Sequence, residues 1–325
     1  MKNAAPFIEE CVQSVIEQKG EFPALELIII NDHSTDGSEE VIADRVRKYG
    51  WISLVDNTGS GIIDALSTGL SEAQGTHISR MDADDRLPSR RFEALWKAYG
   101  KNSFKGVVTG KVKYFSTGKS LGQGFVAYQD WLNQMIDDQS HSRHLFEECV
   151  IASPNWIIDR ESLNDIGGFG SIYPEDYDLV MRMFEARLPM AFTHEVTLHW
   201  RDHGERVSRN SEVYRDNSFV ALKVKYFLKV IPSQAEVILV GAGKKGKAIA
   251  RELCRNSCSF QWLSNNNSKV GHSIYDVIIE SEEEHSFDPS SRYILAVSSP
   301  IEKFSLITEF ESYQLVRGEH FFPFA

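Results

Sequence analysis

Apolar and polar positions along the first part of the chain alternate between helical and strand-like patterns. From Ile8 to Ile16, apolar residues recur at the spacing of one helix face. The near-continuous apolar run Leu25–Ile30 is typical of a parallel strand covered on both sides. The pattern further predicts helices through Val41–Val46 and Gly61–Ala73 and strands at Trp51–Val55 and His77–Met81. Alternation of this kind indicates βαβ units and a parallel sheet.

The middle of the chain, residues 86–200, keeps a mixed helix and strand pattern. A helix is predicted to start at Pro88, and another is predicted to end where Gly167 and Gly168 stop it. Val196–Trp200 reads as a strand that leads into Arg201-Asp202-His203. The mixed α/β pattern therefore continues to about residue 209.

A domain boundary is predicted near Ile231-Pro232-Ser233, after which a new strand, Glu236–Val240, begins. The predicted organisation is a first domain over residues 1–209, a helical linker over 210–232 and a smaller nucleotide-fold domain over 233–325. No strand precedes the first helix, although a doubly wound sheet is usually built outward from its first strand. We expect this strand to be missing because the true start lies upstream.

Net charge and hydropathy bear on whether the protein binds nucleic acid or a membrane. The net charge of −11 argues against a sequence-independent nucleic-acid binder, which needs basic patches. No apolar stretch approaches the roughly 20 residues that span a bilayer. The apolar segment Phe219–Ile231 carries three lysines, so it could lie on an anionic membrane surface. Packing on its own domain is the favoured interpretation.

Two acidic clusters indicate the chemistry. Asp82, Asp84 and Asp85 follow a predicted strand, where carboxylates suit a hard divalent cation such as Mg²⁺ or Mn²⁺. Glu175-Asp176 opens an apolar helical segment and can supply a general base. Together the clusters suggest an enzyme that activates a diphosphate leaving group with a metal and deprotonates an attacking hydroxyl.

Five segments of the chain are rich in acidic, polar or glycine residues at predicted element ends: Asn31–Ser38, Gly61–Leu66, Arg80–Asp85, Glu175–Leu179 and Arg201–His203. In this order they resemble the motifs of family-2 glycosyltransferases. They are similar to the Asp-Gly-Ser-Thr-Asp signature, a further donor-binding segment, the Asp-x-Asp metal motif, the catalytic Glu-Asp motif and the late His. The resemblance covers residues 3–208 and implies an α/β GT-A fold. It also implies inverting transfer of a sugar from a nucleotide-diphosphate donor.

The resemblance assigns a role to each motif residue. The general base would be Asp176, and the divalent cation, Mn²⁺ or Mg²⁺, would be bound by Asp84 and His203. The donor-binding residues would be Asp32, Asp64, Arg80 and Asp82. Asp32 also follows a strand, where a carboxylate can accept from a nucleoside base or ribose.

Other positions in the motifs are predicted to have structural roles or are left open. Glu175 is expected to orient its neighbour or cap the helix, and Asp178 to be a solvated helix residue. Asp85 could be structural or functional. His33 stands where the family usually has Gly, so a turn that needs a positive φ would disfavour it without excluding it.

The C-terminal domain carries a dinucleotide-type fingerprint. Gly241, Gly243 and Gly246 lie between a predicted strand and a helix, where glycines let the backbone approach a pyrophosphate. The acidic residue expected about 20 positions later, which would hold the ribose of NAD, is replaced by Ser264–Asn267. The region resembles the front domain of bacterial sugar acyltransferases, and scaffolding or an unknown ligand is favoured over redox chemistry.

The sequence thus predicts a GT-A nucleotide-diphospho-sugar transferase domain plus a smaller Rossmann-like domain. Its partners would be a nucleotide-sugar donor and a glycan or lipid-linked acceptor, with peripheral membrane contact and a homodimer left open. A cytoplasmic location, at or near the inner face of the membrane, is expected. The alternatives are a non-catalytic sugar-nucleotide-binding or scaffold protein and a sugar-nucleotide oxidoreductase that uses the C-terminal fingerprint.

Overall fold

The computed structural model describes residues 1–20, 22, 24–100, 104–117, 120–204 and 219–324. Two compact units are present. The first comprises Met1–Gln139 and Ile151–Gly204, and the second comprises Ser140–Val150 and the described part of Glu205–Ala325. Residues 210–218 of the predicted linker lie outside the described residues.

The helices and strands follow one another in mixed order up to residue 204. They are α1 (Ile8–Gln18), β1 (Leu27–Asn31), α2 (Ser38–Lys48), β2 (Ile52–Asp56), α3 (Ile62–Glu72), β3 (His77–Ile78), α4 (Arg91–Tyr99), β4 (Val107–Ser116), α5 (Gln123–Asp138), α6 (His141–His144), β5 (Trp156–Asp159), α7 (Arg160–Asp165), α8 (Glu175–Glu185) and β6 (Met190–Asp202). Of these, α6 belongs to the second unit.

The described residues from 219 onward form the rest of the second unit. Its elements are α9 (Phe219–Val230), β7 (Val237–Val240), α10 (Lys244–Arg255), β8 (Phe260–Ser264), β9 (Ser273–Ile274), β10 (Val277–Ser281), a 3-10 turn (Glu282–Glu284), β11 (Arg292–Leu295), α11 (Pro300–Ser312) and β12 (Phe321–Pro323).

The strands of the first unit form a parallel pair and a mixed sheet. β1 pairs with β2 in parallel, with Leu27 opposite Ile52 and Asn31 opposite Asp56. The second sheet has the order β3-β5-β4-β6. In it β4 and β6 are parallel, whereas β5 runs antiparallel to both β3 and β4. The predicted parallel pairing therefore holds for β1 and β2, and the second sheet adds antiparallel neighbours through β5.

The predicted buried face of the first helix is confirmed. Ile8, Cys11 and Val12 pack in one cluster with Ile29 of β1 and Ile42 of α2. Burial of such side chains contributes about 1.5–3 kcal/mol each, which fixes α1 and α2 on the parallel pair. The carboxyl ends of β1 and β2, at Asn31 and Asp56, then lie side by side.

The strand predicted over His77–Met81 is shorter in the structure. Only His77 and Ile78 pair with β5, and the hydroxyl of Ser79 already donates to the carbonyl of Trp156 at 2.7 Å. The chain from Arg80 onward is therefore a loop. This shortening matters for function because it frees the acidic cluster to meet residues from other elements.

The second unit contains a largely parallel six-stranded sheet of order β12-β11-β7-β8-β10-β9. Only the short β9 pairs antiparallel, with β10. Since β8 and β11 flank β7 on opposite sides, the strand order reverses at β7. The loops after β7 and β11 border the crevice where doubly wound sheets usually bind ligands.

The helix α9 packs within the second unit, as predicted for the segment Phe219–Ile231. Val220, Val224 and Phe227 are buried. Lys223 is also buried and donates to the carbonyls of Glu147 at 2.8 Å and Phe324 at 3.2 Å. Among the described residues, no helix combines the length and apolar character needed to cross a bilayer.

The fingerprint loop tolerates no side chain at its third glycine. A Cβ at Gly246 would lie 2.0 Å from the carbonyl oxygen of Gly241, and that oxygen accepts a hydrogen bond from the Trp262 indole at 3.0 Å. Gly241 itself has a φ of 106°, which favours glycine. The first turn of α10 therefore packs directly on the end of β7.

Substitution Gly246→Ala should destabilise the second unit by about 1–3 kcal/mol, since the added methyl group must displace fixed backbone. Gly243→Ala is the matched control, because nothing lies within 4 Å of a Cβ there and its φ is −75°. Thermal unfolding by calorimetry measures both. Equal melting temperatures for the two variants would contradict this packing.

Candidate active site

The acidic loop after β3 meets the end of β6. The Oδ2 atom of Asp84 lies 2.8 Å from Nε2 of His203, although the two residues are 119 positions apart in sequence. Asp85 is buried, and its Oδ1 accepts from the backbone N–H of Arg201 at 2.7 Å. The structure thus brings the predicted metal ligands Asp84 and His203 together, and Asp85 fixes the loop beside them.

A buried arginine connects the two acidic clusters. Nε of Arg80 donates to Asp82 at 2.9 Å, and one of its terminal nitrogens donates to Glu175 at 2.9 Å. Only 6% of the Arg80 side chain and 5% of the Glu175 side chain are exposed. A buried pair with both partners satisfied is rigid, and removal of either partner would strand a charge. Arg80 therefore joins the loop after β3 to the first turn of α8.

Asp176 lies beside this ion pair at the start of α8. Its Oδ1 accepts from the backbone N–H of Tyr177 at 2.8 Å. Burial, followed by the negative charge of Glu175, raises the pKa of Asp176 to about 6, while the charge of Arg80 opposes the rise. A carboxylate with such a pKa is a better proton acceptor than an ordinary aspartate and is still ionised near neutral pH.

Asp178 corrects an expectation. It was predicted to be solvated, but it is buried and forms an ion pair of 2.8 Å with Arg182, four residues later on the same helix. Arg182 also donates to the carbonyls of Ile166 and Gly168 at 2.6 and 2.7 Å. The pair anchors the loop around the two glycines to α8, and this is why a carboxylate is buried at position 178.

Asp32 is held by donors from the loop that follows β2. Its Oδ1 accepts from the side chain of Asn57 at 2.7 Å and from the backbone N–H of Gly61 at 3.0 Å, and Lys2 lies 3.2 Å from its Oδ2. Burial alone would raise the pKa of Asp32, but these donors hold it below its usual value. Asp32 is therefore a fixed, ionised acceptor at the end of β1.

The other positions near Asp32 shape the loop. Asp64 accepts from the backbone N–H of Ser60 at 2.8 Å, so it supports the turn that carries Gly61. His33 has a φ of 57°, and its ring lies 2.9 Å from the Gly59 carbonyl. The turn that usually takes Gly in the family does adopt a positive φ here.

Sequence reasoning missed residues that complete these contacts. Asn57 follows β2 as Asp32 follows β1, so its strand-end position was a usable signal. The ring of Phe7 lies 4.5 Å from that of His203, and Glu10 pairs with Arg201. Phe7 and Glu10 are at the beginning of α1, and nothing in their local pattern distinguishes them from ordinary helix residues.

The Asp84–His203 pair fits a divalent cation. In an octahedral site with bonds of about 2.1 Å, adjacent ligand atoms are about 3 Å apart, close to the separation of this oxygen and nitrogen. Within the part of the chain that the structure describes, no group of three or more His, Cys, Asp or Glu is arranged to hold a metal. Among the described residues, the ligands would therefore be Asp84 and His203, and a small number of protein ligands suits a cation shared with substrate phosphates.

The glycine fingerprint of the second unit is a separate candidate. Gly241 and Gly243 form the loop between β7 and α10, and Gly246 is in the first turn of that helix. β8 ends at Ser264, and Asn265–Asn267 follow it. Polar but uncharged side chains therefore stand where an NAD-binding domain usually has its acidic residue.

Comparison with known proteins identifies the family. A family model described as glycosyl transferase family 2 matches residues 1–167. The chain is 33% identical over 116 residues to an uncharacterised glycosyltransferase, EpsJ, of Bacillus subtilis, covering 36% of this chain and 33% of that protein. It is 28% identical over 153 residues to the poly(ribitol-phosphate) beta-N-acetylglucosaminyltransferase TarP of Staphylococcus aureus, covering 44% and 46%. The matches thus span a third to a half of these relatives.

Solved structures show the same fold. TarS residues 1–349 of S. aureus, in complex with UDP-GlcNAc, superposes with a TM-score of 0.54 at 16% identity, covering 70% of this chain and 64% of that one. The mannosyltransferase PcManGT of Pyrobaculum calidifontis, in complex with GDP-Man and Mn²⁺, gives 0.53 at 20% identity, covering 78% and 66%. The chain belongs to glycosyl transferase family 2 and has the GT-A fold.

Proposed function

We propose that this protein transfers a sugar, with inversion, from a nucleotide-diphosphate donor to a hydroxyl group, and that a divalent cation is required. The observation that carries the proposal is that the two acidic clusters lie together, joined by a buried arginine. Arg80 ties Asp82 to Glu175, beside Asp176, and the same loop presents Asp84 to His203. A pair of residues that can bind a cation, together with a carboxylate of raised pKa, suits the displacement of a diphosphate by an alcohol.

Each side chain has a distinct task in this reaction. Asp32 would accept from the nucleoside, and Asp64 would keep the adjoining loop in place. Asp84 and His203 would hold the cation, which neutralises the charge that develops on the departing diphosphate. Asp176 would take the proton of the acceptor hydroxyl as its oxygen attacks the anomeric carbon, and a single base is sufficient for one inverting displacement.

Arg80 and Asp82 are proposed to serve the donor site, Asp82 directly and Arg80 by holding Asp82 in place. The guanidinium is buried between Asp82 and Glu175, so it acts on the donor through Asp82. With one carboxylate oxygen of Asp82 bound to Arg80, the other would accept from a ribose hydroxyl of the donor. The donor-binding assignment of both residues is thereby kept as part of the proposal.

The relatives support the choice of cofactor and substrates. PcManGT is described with GDP-Man and Mn²⁺ and TarS with UDP-GlcNAc, which favours a nucleotide sugar and a divalent metal here. TarP is named for a poly(ribitol-phosphate) acceptor. We therefore propose a glycan or lipid-linked acceptor of the cell envelope and action at the cytoplasmic face of the membrane.

A second candidate function concerns the second unit. Gly241 and Gly246 bring the N-terminus of α10 against the strand-order reversal of the sheet, which is the usual position for a nucleotide phosphate. Nucleotide-sugar binding there would serve the transferase. The absence of an acidic side chain over Ser264–Asn267 speaks against an oxidoreductase that uses NAD.

Donor hydrolysis tests the proposed function without knowledge of the acceptor. The chain is incubated with UDP- and GDP-sugars in turn, with Mn²⁺ or with EDTA, and the released nucleoside diphosphate is measured. Slow release from one donor, seen only with metal, supports the proposal. If a folded chain binds a nucleotide sugar equally well in EDTA and never releases the diphosphate, the protein is a binding or scaffold protein instead.

The pKa of Asp176 predicts the acid side of the pH profile. Because the ionised form is the base, kcat/KM should fall about tenfold per pH unit once the pH drops below about 6. Steady-state rates between pH 4.5 and 8 measure this limb. The residual activity of Asp176→Asn should lack it, and a limb that persists in this variant would assign the titration to another group.

A further inference from the structure

Arg201 is a buried arginine that contacts the metal-motif loop without belonging to the predicted ligand set. Its side chain is 2% exposed. Its Nε donates to the backbone carbonyl of Asp84 at 2.6 Å, and its own backbone N–H donates to the carboxylate of Asp85 at 2.7 Å. Arg201, which lies two residues before His203, therefore fixes two consecutive positions of the loop, Asp84 and Asp85.

Further contacts of Arg201 come from the start of α1 and from β4. Its terminal nitrogen pairs with Glu10. Its guanidinium lies over the rings of Phe7 and Phe115, with centroid distances of 5.2 and 4.5 Å. Phe7 also contacts the ring of His203 at 4.5 Å. Arg201 is thus the common neighbour of the loop, the His203 segment and the first helix.

The geometry of this guanidinium cannot be reproduced by another cation. A planar group with several donors can bind a carbonyl and a carboxylate in different directions while it stacks between rings. Lysine could keep the ion pair with Glu10, but it could not also donate along the Nε direction to Asp84. A charge this deeply buried is stable only with all of its partners present, so the contacts act together.

We propose that Arg201 is a positioning residue that sets the separation between Asp84 and His203, and thereby the affinity of the chain for a divalent cation. Its hydrogen bonds to the metal-motif loop go to the Asp84 backbone carbonyl and the Asp85 carboxylate, so it would act on the cation through the loop. The inference rests on the proposed function, because it takes the Asp84–His203 pair to be the cation site. Residues that orient metal ligands from outside typically change metal affinity by 10–100-fold when replaced.

Binding of Mn²⁺ alone tests this proposal without any turnover. Free Mn²⁺ is titrated against the protein and followed by its electron paramagnetic resonance signal, and thermal unfolding is recorded in EDTA. Arg201→Lys should weaken Mn²⁺ binding by roughly tenfold or more. The matched control is Arg86→Lys, because Arg86 also pairs with Glu10, at 2.7 Å, and lies over Phe115, at 4.3 Å. It should bind Mn²⁺ like the wild type.

A second variant keeps the test decisive if Arg201→Lys does not fold. Glu10→Gln retains the shape of the carboxylate, whose side chain is 45% exposed, and removes the charge that Arg201 shares with Arg86. It should weaken Mn²⁺ binding severalfold in a folded protein. Wild-type affinity in the folded Arg201 variant, or in Glu10→Gln if that is the only one to fold, would overturn the positioning role alone. A wild type that binds no Mn²⁺ would overturn the cation site as well.

Discussion

Replacement of Asp176 by Asn is expected to reduce kcat by about 10²–10⁴-fold while donor affinity stays within about threefold of the wild type. The substitution keeps the size of the side chain and removes its capacity to accept a proton. Because the residue is proposed to act on the acceptor hydroxyl, the donor should bind as before. Rates of nucleoside diphosphate release and calorimetric titration of the donor measure the two quantities separately.

Glu175→Gln is the informative comparison for this variant. Glu175 is the partner of Arg80 at 2.9 Å and the neighbour of the proposed base, so its loss should disturb the position of Asp176. We expect a smaller loss of kcat together with a lower melting temperature, since Arg80 would be left with an incomplete set of partners. A larger loss of kcat for Glu175→Gln than for Asp176→Asn would mean that the base has been assigned to the wrong residue.

Replacement of Asp84 by Asn is expected to abolish the metal dependence of the reaction and to lower activity by about 10³-fold or more. The cation would lose one of its two protein ligands and with it several kcal/mol of stabilisation for the departing diphosphate. Activity measured against Mn²⁺ concentration should show no saturation in the variant. Circular dichroism and thermal unfolding establish that the fold is retained.

Asp44→Asn is the matched control for the charge change. Asp44 is an exposed residue of α2 whose side chain is 90% accessible and pairs with Arg47, three residues later on the same helix. It should leave both the rate and the response to Mn²⁺ unchanged. Saturable Mn²⁺ activation of Asp84→Asn at wild-type concentrations would show that the cation binds elsewhere.

The hydrophobic pattern predicted most of the elements because it reports directly on which faces are buried. The helix from Ile8 and the alternation of helices and strands that follows agree with the structure, and the strand predicted over Leu25–Ile30 is observed as Leu27–Asn31. β4, β5 and α5 were not predicted individually. The antiparallel direction of β5 is decided by long-range pairing with β3 and β4, about which the local pattern carries no information.

Residues far apart in sequence could be predicted to meet in the site only where both belong to recognised motifs. The meeting of Asp84 with His203 followed from their motif resemblance, not from any spacing in the chain. The contact between Glu10 and Arg201 spans 191 positions and had no such signal. Asp178 was misjudged although Arg182 stands four residues later, a spacing that allows a helix ion pair and could have been read.

One feature of the division into two units could not be predicted from the sequence. The segment Ser140–Val150 belongs to the second unit, although it lies between two stretches of the first. Within it, Glu147 is mostly buried and lies 3.5 Å from Lys303 of α11, and the backbone carbonyl of Glu147 accepts from Lys223. The composition of the chain does not change at either end of this segment. The domain division predicted from the sequence therefore places residues 140–150 in the first domain.

Calorimetric titration with nucleotide sugars decides whether this chain has a metal-dependent donor site. UDP-GlcNAc, GDP-mannose and other UDP- and GDP-sugars are titrated into the wild-type protein with Mn²⁺ and again in EDTA. We predict binding of one donor class in Mn²⁺ that weakens by at least tenfold in EDTA. Equal binding with and without metal, or no binding of any nucleotide sugar by the folded protein, would contradict the proposed reaction.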